Sequence, residues 1–445
     1  MIVVRAGAVG QTADMAQPET ATQLPPITQA KGEADTTSAG SGRPANVTLA
    51  DVQAARVVLD GVIRQTPVEN MAVLTELVGG PVLLKCENLQ RAGSFKIRGA
   101  YTRMSRLTAE ERAAGVVAAS AGNHAQGVAL GARLLGIKAT VYMPIGAPIP
   151  KENATRAYGA EVRMVGHTVD EALVAAVDHA ARTGAVLIHP FDHPDVVAGQ
   201  GTVGLEIVEQ VPDVRTIVCS LGGGGLLAGI SVAVRGLRPD VRLVGVQAEG
   251  AAAYPGSLAI GRPTHVGAMA TMADGIAVGM PGAVPFELIR RYVDDVLTVS
   301  EDRLSESLLL SLERAKLVIE PAGAAAIAAV LDRPELYEPP VVVVLSGGNI
   351  DPLLLLRVLR HGMAAAGRYL SFRVRIPDAP GALARLLSDL AGVEANVLEV
   401  VHERTGARLH VDEVEVRVQV ETRGAEHRAV VLDALRERGY PLHLG

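Results

Sequence analysis

Two kinds of apolar pattern alternate along most of the chain. Short contiguous apolar runs are separated by longer Ala-rich stretches with helical spacing. The runs predict strands at Val82–Glu87, Val116–Ser120, Ala139–Pro144, Glu161–Gly166, Ala185–Pro190, Thr216–Leu221, Arg242–Gln247 and Val341–Ser346. Most are rich in Val, Ile and Leu without polar alternation, as strands covered on both faces of a parallel sheet are. Thr48-Leu-Ala-Asp51 has capping-box spacing and predicts a helix start, with Val52, Ala55, Leu59, Val62 and Ile63 on one face. Strands alternating with helices make residues 48–362 an α/β unit, expected as two lobes around a cleft.

The texture changes near Met363–Arg368. Beyond it Val414, Val416, Val418 and Val420 alternate with Glu415, Arg417, Gln419 and Glu421, the period of an antiparallel strand with one wet face. With a strand at Leu370–Ile376, a helix at Pro380–Leu390, a strand at Asn396–Val401, a helix at Glu426–Arg438 and a strand at Tyr440–Leu444, the order is βαββαβ. Residues 369–445 are therefore expected to form a separate domain. Residues 1–47 scatter Gly, Pro, Ser, Thr and Gln with no period and are read as a disordered tail.

Composition narrows the function. Of 445 residues, 49% are hydrophobic and 20% charged, enough for a large core. Aromatics are only 3% and Trp is absent, which removes the flat rings that a single-strand nucleic-acid surface needs. A net charge of −6 gives no strong pull on nucleic-acid phosphates or anionic lipid. No apolar run reaches the roughly 18 residues of a membrane span. Two cysteines, Cys86 and Cys219, cannot build a disulfide framework. A cytoplasmic protein with small-molecule partners, and neither nucleic acid nor membrane, is expected.

Four strand ends carry candidate chemistry. In Gly93-Ser-Phe-Lys-Ile-Arg-Gly-Ala100 a lysine follows a Gly-Ser turn at a helix start. Desolvation and the helix dipole both disfavour its ammonium, which makes the amine a usable nucleophile, although such a lysine taken alone is more often a surface residue. Ser120-Ala-Gly-Asn-His-Ala-Gln-Gly127 leaves a strand for a helix. Its amides can hold a carboxylate and Asn123 can donate to a phenolate-like oxygen, while His124 reads best as a satisfied buried side chain. Leu221-Gly-Gly-Gly-Gly-Leu226 suits one isolated phosphate. Leu227 stands where a dinucleotide fingerprint needs its third glycine, and no Gly-Lys-Ser/Thr ending is present. Ser346 ends an apolar strand and can touch a ligand over the sheet edge, or cap a helix. An activated lysine, one phosphate site and two polar groups at strand ends are together what pyridoxal 5'-phosphate requires.

These segments resemble those of the fold-type-II (tryptophan synthase β-like) pyridoxal-phosphate enzymes over residues 48–360, and most nearly the threonine ammonia-lyase (threonine dehydratase) family. Met272-Ala-Asp-Gly-Ile276, Glu320-Pro-Ala-Gly323 and Ser346–Asn349 extend the resemblance. It implies two lobes, the small one at about 90–185, and a homotetramer or homodimer. It implies that Lys96 carries the cofactor as a Schiff base and Phe95 packs near the ring. Asn123 would bond the phenolic oxygen, Gly222, Gly223, Gly224, Gly225 and Leu226 would hold the phosphate, and Ser346 would meet the pyridine nitrogen. Ser120, Ala121, Gly122, Asn123 and His124 would bind the substrate carboxylate. The implied activity is net loss of ammonia, by dehydration and then hydrolysis, from L-threonine to give 2-oxobutanoate, or from L-serine to give pyruvate. Serine racemases have a second serine where this chain has Ala121, so racemisation is expected to be minor. Racemase-like members place a Glu and an Asp as metal ligands in the segment matching Gly245–Ala253. Gln247 and Ala253 stand there, so no metal is expected. Arg375-Ile-Pro-Asp-Ala-Pro-Gly-Ala-Leu383 resembles an ACT domain, which implies an amino-acid effector such as isoleucine or valine near Pro380, Gly381 and Asn396.

Overall fold

The computed structural model describes residues 47–404 and 409–444. The tail expected over residues 1–47 therefore lies outside the described residues except for Val47, which is buried against the core. The first helix, Leu49–Leu59, is capped by Thr48 and Asp51 in a reciprocal capping box and buries Val52, Ala55 and Leu59. It ends at Leu59, so Val62 and Ile63 lie in the following turn rather than on its face.

Ten strands build two sheets. They are β1 (Val68–Asn70), β2 (Val82–Lys85), β3 (Val116–Ala119), β4 (Ala139–Met143), β5 (Glu161–Met164), β6 (Val186–Leu187), β7 (Thr216–Ser220), β8 (Arg242–Ala248), β9 (Asp295–Val299) and β10 (Val341–Val344). The larger sheet has the order β1-β2-β10-β7-β8-β9, parallel except for β1, and the smaller has the order β5-β4-β3-β6, wholly parallel. Strands β7 and β10 are buried throughout, because helices cover both faces of the sheet. One of those helices, Pro321–Asp332, is buried along nearly its whole length by alanines that admit close approach.

Two expectations change here. The run Ala185–Pro190 forms a strand only at Val186–Leu187. Pro190 has no N–H to offer a ladder, and His189 Nδ1 accepts from the N–H groups of Phe191 and Asp192, at 3.3 and 2.7 Å, curling the chain away from the sheet. Strands β1 and β9 escaped the pattern because one is three residues long and the other, Asp-Val-Leu-Thr-Val, is a half-buried edge.

Helix Pro352–Ala365 leads into β11 (Tyr369–Pro377), helix Ala382–Gly392, β12 (Asn396–Glu403), β13 (Glu413–Glu421), helix Ala425–Glu437 and β14 (Leu442–Leu444). These strands form an antiparallel sheet in the order β12-β13-β11-β14. Val414, Val416, Val418 and Val420 all face its core, with Leu386, Leu390, Val431 and Leu435 from the two helices.

Candidate active site

The carboxyl ends of β2, β3, β7 and β10 converge on Lys96, the first residue of helix Lys96–Ser105. The chain enters that helix through left-handed Ala92 and Gly93, with φ of 61° and 69°. A Cβ on Gly93 would fall 2.2 Å from Asn349 Oδ1, so the turn requires glycine. Asn349 Nδ2 donates to Ala92 O at 2.7 Å, and Phe95 N donates to Ser346 O at 3.2 Å. The lysine-bearing turn is thereby fastened to the end of β10. Lys96 Nζ donates to Pro190 O at 3.0 Å and lies 5.1 Å from the centre of the Phe95 ring. Burial, only partly offset by the Glu320 carboxylate, lowers its ammonium to about 8.

Two residues on, Arg98 anchors the same helix from below. Its guanidinium is fully buried, bidentate to Glu87 at 2.7 and 2.8 Å and bonded to Glu206 at 2.6 Å. Lys85 completes the cluster, donating to Glu206 at 2.6 Å, Thr66 O at 2.8 Å and Gln210 at 2.7 Å. Two cations and two anions cancel, Thr66 Oγ1 also donates to Glu87 at 2.6 Å, and every carboxylate oxygen is bonded, as buried charge requires.

Asn123 opens helix Asn123–Leu135. Its Nδ2 donates to Glu320 Oε1 at 2.5 Å and its Oδ1 accepts from Asn349 Nδ2 at 2.8 Å, which fixes the orientation of the amide. Ser120, Ala121 and Gly122 are half-buried in the preceding turn, where Gly122 N donates to Ser120 Oγ at 3.1 Å. His124 is buried, and one ring nitrogen lies 2.7 Å from Ile188 O. Burial and the nearby Lys96 hold its pKa down at about 3, so the neutral ring donates to that carbonyl through Nε2.

Gly222–Gly225 runs from β7 into helix Gly225–Leu237, with Gly224 at φ 100° and Leu226 buried. A Cβ on Gly223 would come 2.4 Å from the Phe191 ring, and one on Gly224 would come 2.0 Å from Tyr254 Oη. Ser346 Oγ accepts from Ser220 Oγ at 3.1 Å, so the two hydroxyls meet where β10 and β7 end.

Glu320 carries chemistry that sequence reading noted only as part of a motif. It is buried, and burial with the nearby Asp274 raises its carboxyl to about 7, against Lys151, Asn123 and Lys96. With Lys151, Asp274 and Asn349 it lines a cavity of about 130 Å³. Lys151 Nζ donates to Asp274 at 2.7 Å. The available signal was an acid directly before Pro-Ala-Gly at the head of an otherwise apolar helix. The loop His189–Asp192, which supplies Pro190 O and the Phe191 ring, left no signal because it reads as strand. In the C-terminal unit Pro380, Gly381 and Asn396 are exposed, with Gly381 at φ 87° before helix Ala382–Gly392. Among the described residues no group of three His, Cys, Asp or Glu side chains that could hold a metal is found. No described helix is long and apolar enough to cross a membrane.

A two-lobed parallel α/β enzyme with a half-buried lysine at the sheet edges has the architecture of the fold-type-II class. The chain belongs to the pyridoxal-phosphate dependent enzyme family, whose model matches residues 59–347, and its cofactor is pyridoxal phosphate. It is 44% identical over 398 residues to an L-threonine ammonia-lyase of Thermotoga maritima, covering 89% of this chain and 99% of that one. It superposes on the processed form of threonine deaminase isoform 2 from Solanum lycopersicum with a TM-score of 0.68 at 36% identity, covering 72% of this chain and 87% of that one. It also superposes on maize serine racemase with a TM-score of 0.67 at 32% identity, covering 70% and 96%.

Proposed function

We propose that the protein deaminates L-threonine to 2-oxobutanoate and ammonia, and L-serine to pyruvate. The observation that carries this reading is the Lys96 amine, lowered to about 8, bonded to Pro190 O and carried on a turn that Phe95 N fastens to Ser346 O. The residues suit pyridoxal phosphate. Gly222–Gly225 forms a turn that any Cβ would fill, at the positive end of a helix, where N–H groups of Gly222–Leu226 would hold a phosphate. Lys96 Nζ would take the aldehyde carbon, with the Phe95 ring beside it. Asn123 Nδ2 keeps a second hydrogen for the phenolic oxygen, because Glu320 and Asn349 use the rest of the amide. Ser346, bonded to Ser220, would offer the pyridine nitrogen a neutral hydroxyl. When bound, the cofactor withdraws electrons from the carbon that bears the substrate's amine. Lys96, once free, removes the proton from that carbon through its neutral Nζ. Backbone N–H groups of Ser120–His124 would hold the carboxylate. The β-hydroxyl leaves as water with the proton taken from the α-carbon, and hydrolysis of the released enamine gives the keto acid and ammonia.

The similarity to maize serine racemase supports a second reading, a serine-preferring dehydratase or racemase. Ala121 offers no hydroxyl to return a proton to the opposite face, which favours deamination. Keto-acid release from threonine and from serine, with Lys96→Ala beside the unaltered enzyme and chiral analysis of recovered serine, tests both. Threonine turnover that vanishes in the variant, with serine recovered as the L-form, is expected. No keto acid from threonine, or substantial D-serine, would overturn the reading.

The βαββαβ unit is proposed as an ACT domain binding isoleucine or valine near Pro380, Gly381 and Asn396, in a cytoplasmic homo-oligomer (tetramer or dimer) at the first step of isoleucine synthesis. Supporting this is the reach of the Thermotoga match, which extends well beyond residues 59–347. Calorimetry that detects neither amino acid, with unchanged turnover, would remove the regulatory role.

A further inference from the structure

The glycine loop is gripped by two buried side chains to which the proposed chemistry gives no role. Gln247, near the end of β8, has no exposed surface. Its Nε2 donates to Leu221 O at 3.1 Å and its Oε1 accepts from Tyr254 N at 2.9 Å. Tyr254, equally buried, donates its hydroxyl to Gly223 O at 3.3 Å, and Gly282 N donates to the same oxygen at 3.2 Å. A continuous path thus runs from the carbonyl before the first glycine, through one carboxamide and one phenol, to the carbonyl of the second. Tyr254 Oη also occupies the space that a Cβ on Gly224 would need.

A loop of N–H groups can converge on an anion only if its carbonyl oxygens point elsewhere, because a carbonyl facing a phosphate repels it. Leu221 O and Gly223 O are turned to Gln247 and Tyr254. A carboxamide buried in an apolar sheet is costly unless both its atoms are bonded, and here both bonds serve this turn.

We propose that Gln247 is a positioning residue for the cofactor's phosphate, fixing the Gly222–Gly225 amides toward the anion by holding the Leu221 carbonyl away from it. The inference rests on reading that loop as the phosphate cradle.

Pyridoxal, which lacks the phosphate, separates the two ideas. Pyridoxal phosphate and pyridoxal are titrated by absorbance into cofactor-stripped full-length protein, as wild type, Gln247→Met, Gln247→Glu and Tyr254→Phe, and the holoenzymes are examined by ³¹P NMR. Wild type should prefer the phosphorylated form by about 100-fold or more, since the cradle supplies several charge-assisted bonds. Gln247→Met should lose about tenfold of that preference, with pyridoxal affinity within about twofold and a shifted ³¹P resonance. Gln247→Glu, which sets an acceptor against Leu221 O, should lose more. Tyr254→Phe should lose less, because Gly282 N still holds Gly223 O. The preference is read from whichever variants fold. An unchanged ratio and resonance in the Gln247 variants, or equal weakening of both ligands, would overturn the role of Gln247. A wild type indifferent to the phosphate would overturn the cradle reading itself.

Discussion

Valine builds strand β10 and strand β13, and the two use it in opposite ways. In Val341–Val344 four consecutive valines are all fully buried, two to each face. In β13 the valines alternate with Glu415, Arg417 and Gln419, and only Val414, Val416, Val418 and Val420 are buried. A strand covered on both faces leaves only its ends for chemistry, and Ser346, Lys96 and Asn123 gather there. The one-sided sheet has no such enclosed edge. Among the described residues its unit buries one polar side chain, Thr422, whereas the lobes bury Lys85, Glu87, Arg98, Glu206 and Glu320. Burial of charge therefore marks the region where a group must be held against its own solvation.

The sharpest way to break this contrast is to remove one member of the buried ion cluster. Arg98→Leu leaves Glu87 and Glu206 facing each other with Lys85 alone, and should cost about 3–5 kcal/mol of stability. Thermal or urea unfolding would show it as a large loss in the catalytic transition; a loss under about 1 kcal/mol would show the cluster to be solvent-relaxed. Gly224→Ala forces a side chain into φ 100° and onto Tyr254 Oη, and should destabilise by roughly 1–3 kcal/mol while weakening cofactor binding. Calorimetry and cofactor titration would measure both.

Much of this contrast was legible in the sequence. The period of two in β13 and the unbroken valines of β10 each state which faces are covered, and Thr48–Asp51 states where the first helix begins. The loop at His189–Asp192 was hidden because its apolar residues mimic a strand until Pro190 ends the ladder. Glu320, Gln247 and Tyr254 were hidden for a different reason. Each is defined by a partner that is remote along the chain, such as Asn123 or Leu221, and no local pattern announces such a pairing.

The pH dependence is a smaller effect. Lys96 acts through its neutral amine, so turnover should rise with pH and level off above about 8. Below that it should fall about tenfold per unit, until Glu320, near 7, also titrates. Asp274, Lys151, His124 and His189 are the other charged or titratable groups about these two. A flat profile from 6 to 9 would exclude Lys96 as the rate-determining base. Smallest in its effect on turnover is Val418→Ala. The cavity should cost the C-terminal unit about 1–3 kcal/mol while turnover stays within about twofold. A collapse of turnover would show that the two regions depend on each other more closely than their cores suggest.

The central claim is that one half-buried amine at the head of helix Lys96–Ser105 carries the cofactor. Borohydride reduction of the coloured holoenzyme, followed by peptide mass mapping, tests it directly. The account predicts a single pyridoxyl mass addition on the peptide containing Lys96. Label on another lysine, or none on a protein that retains full turnover, would contradict it.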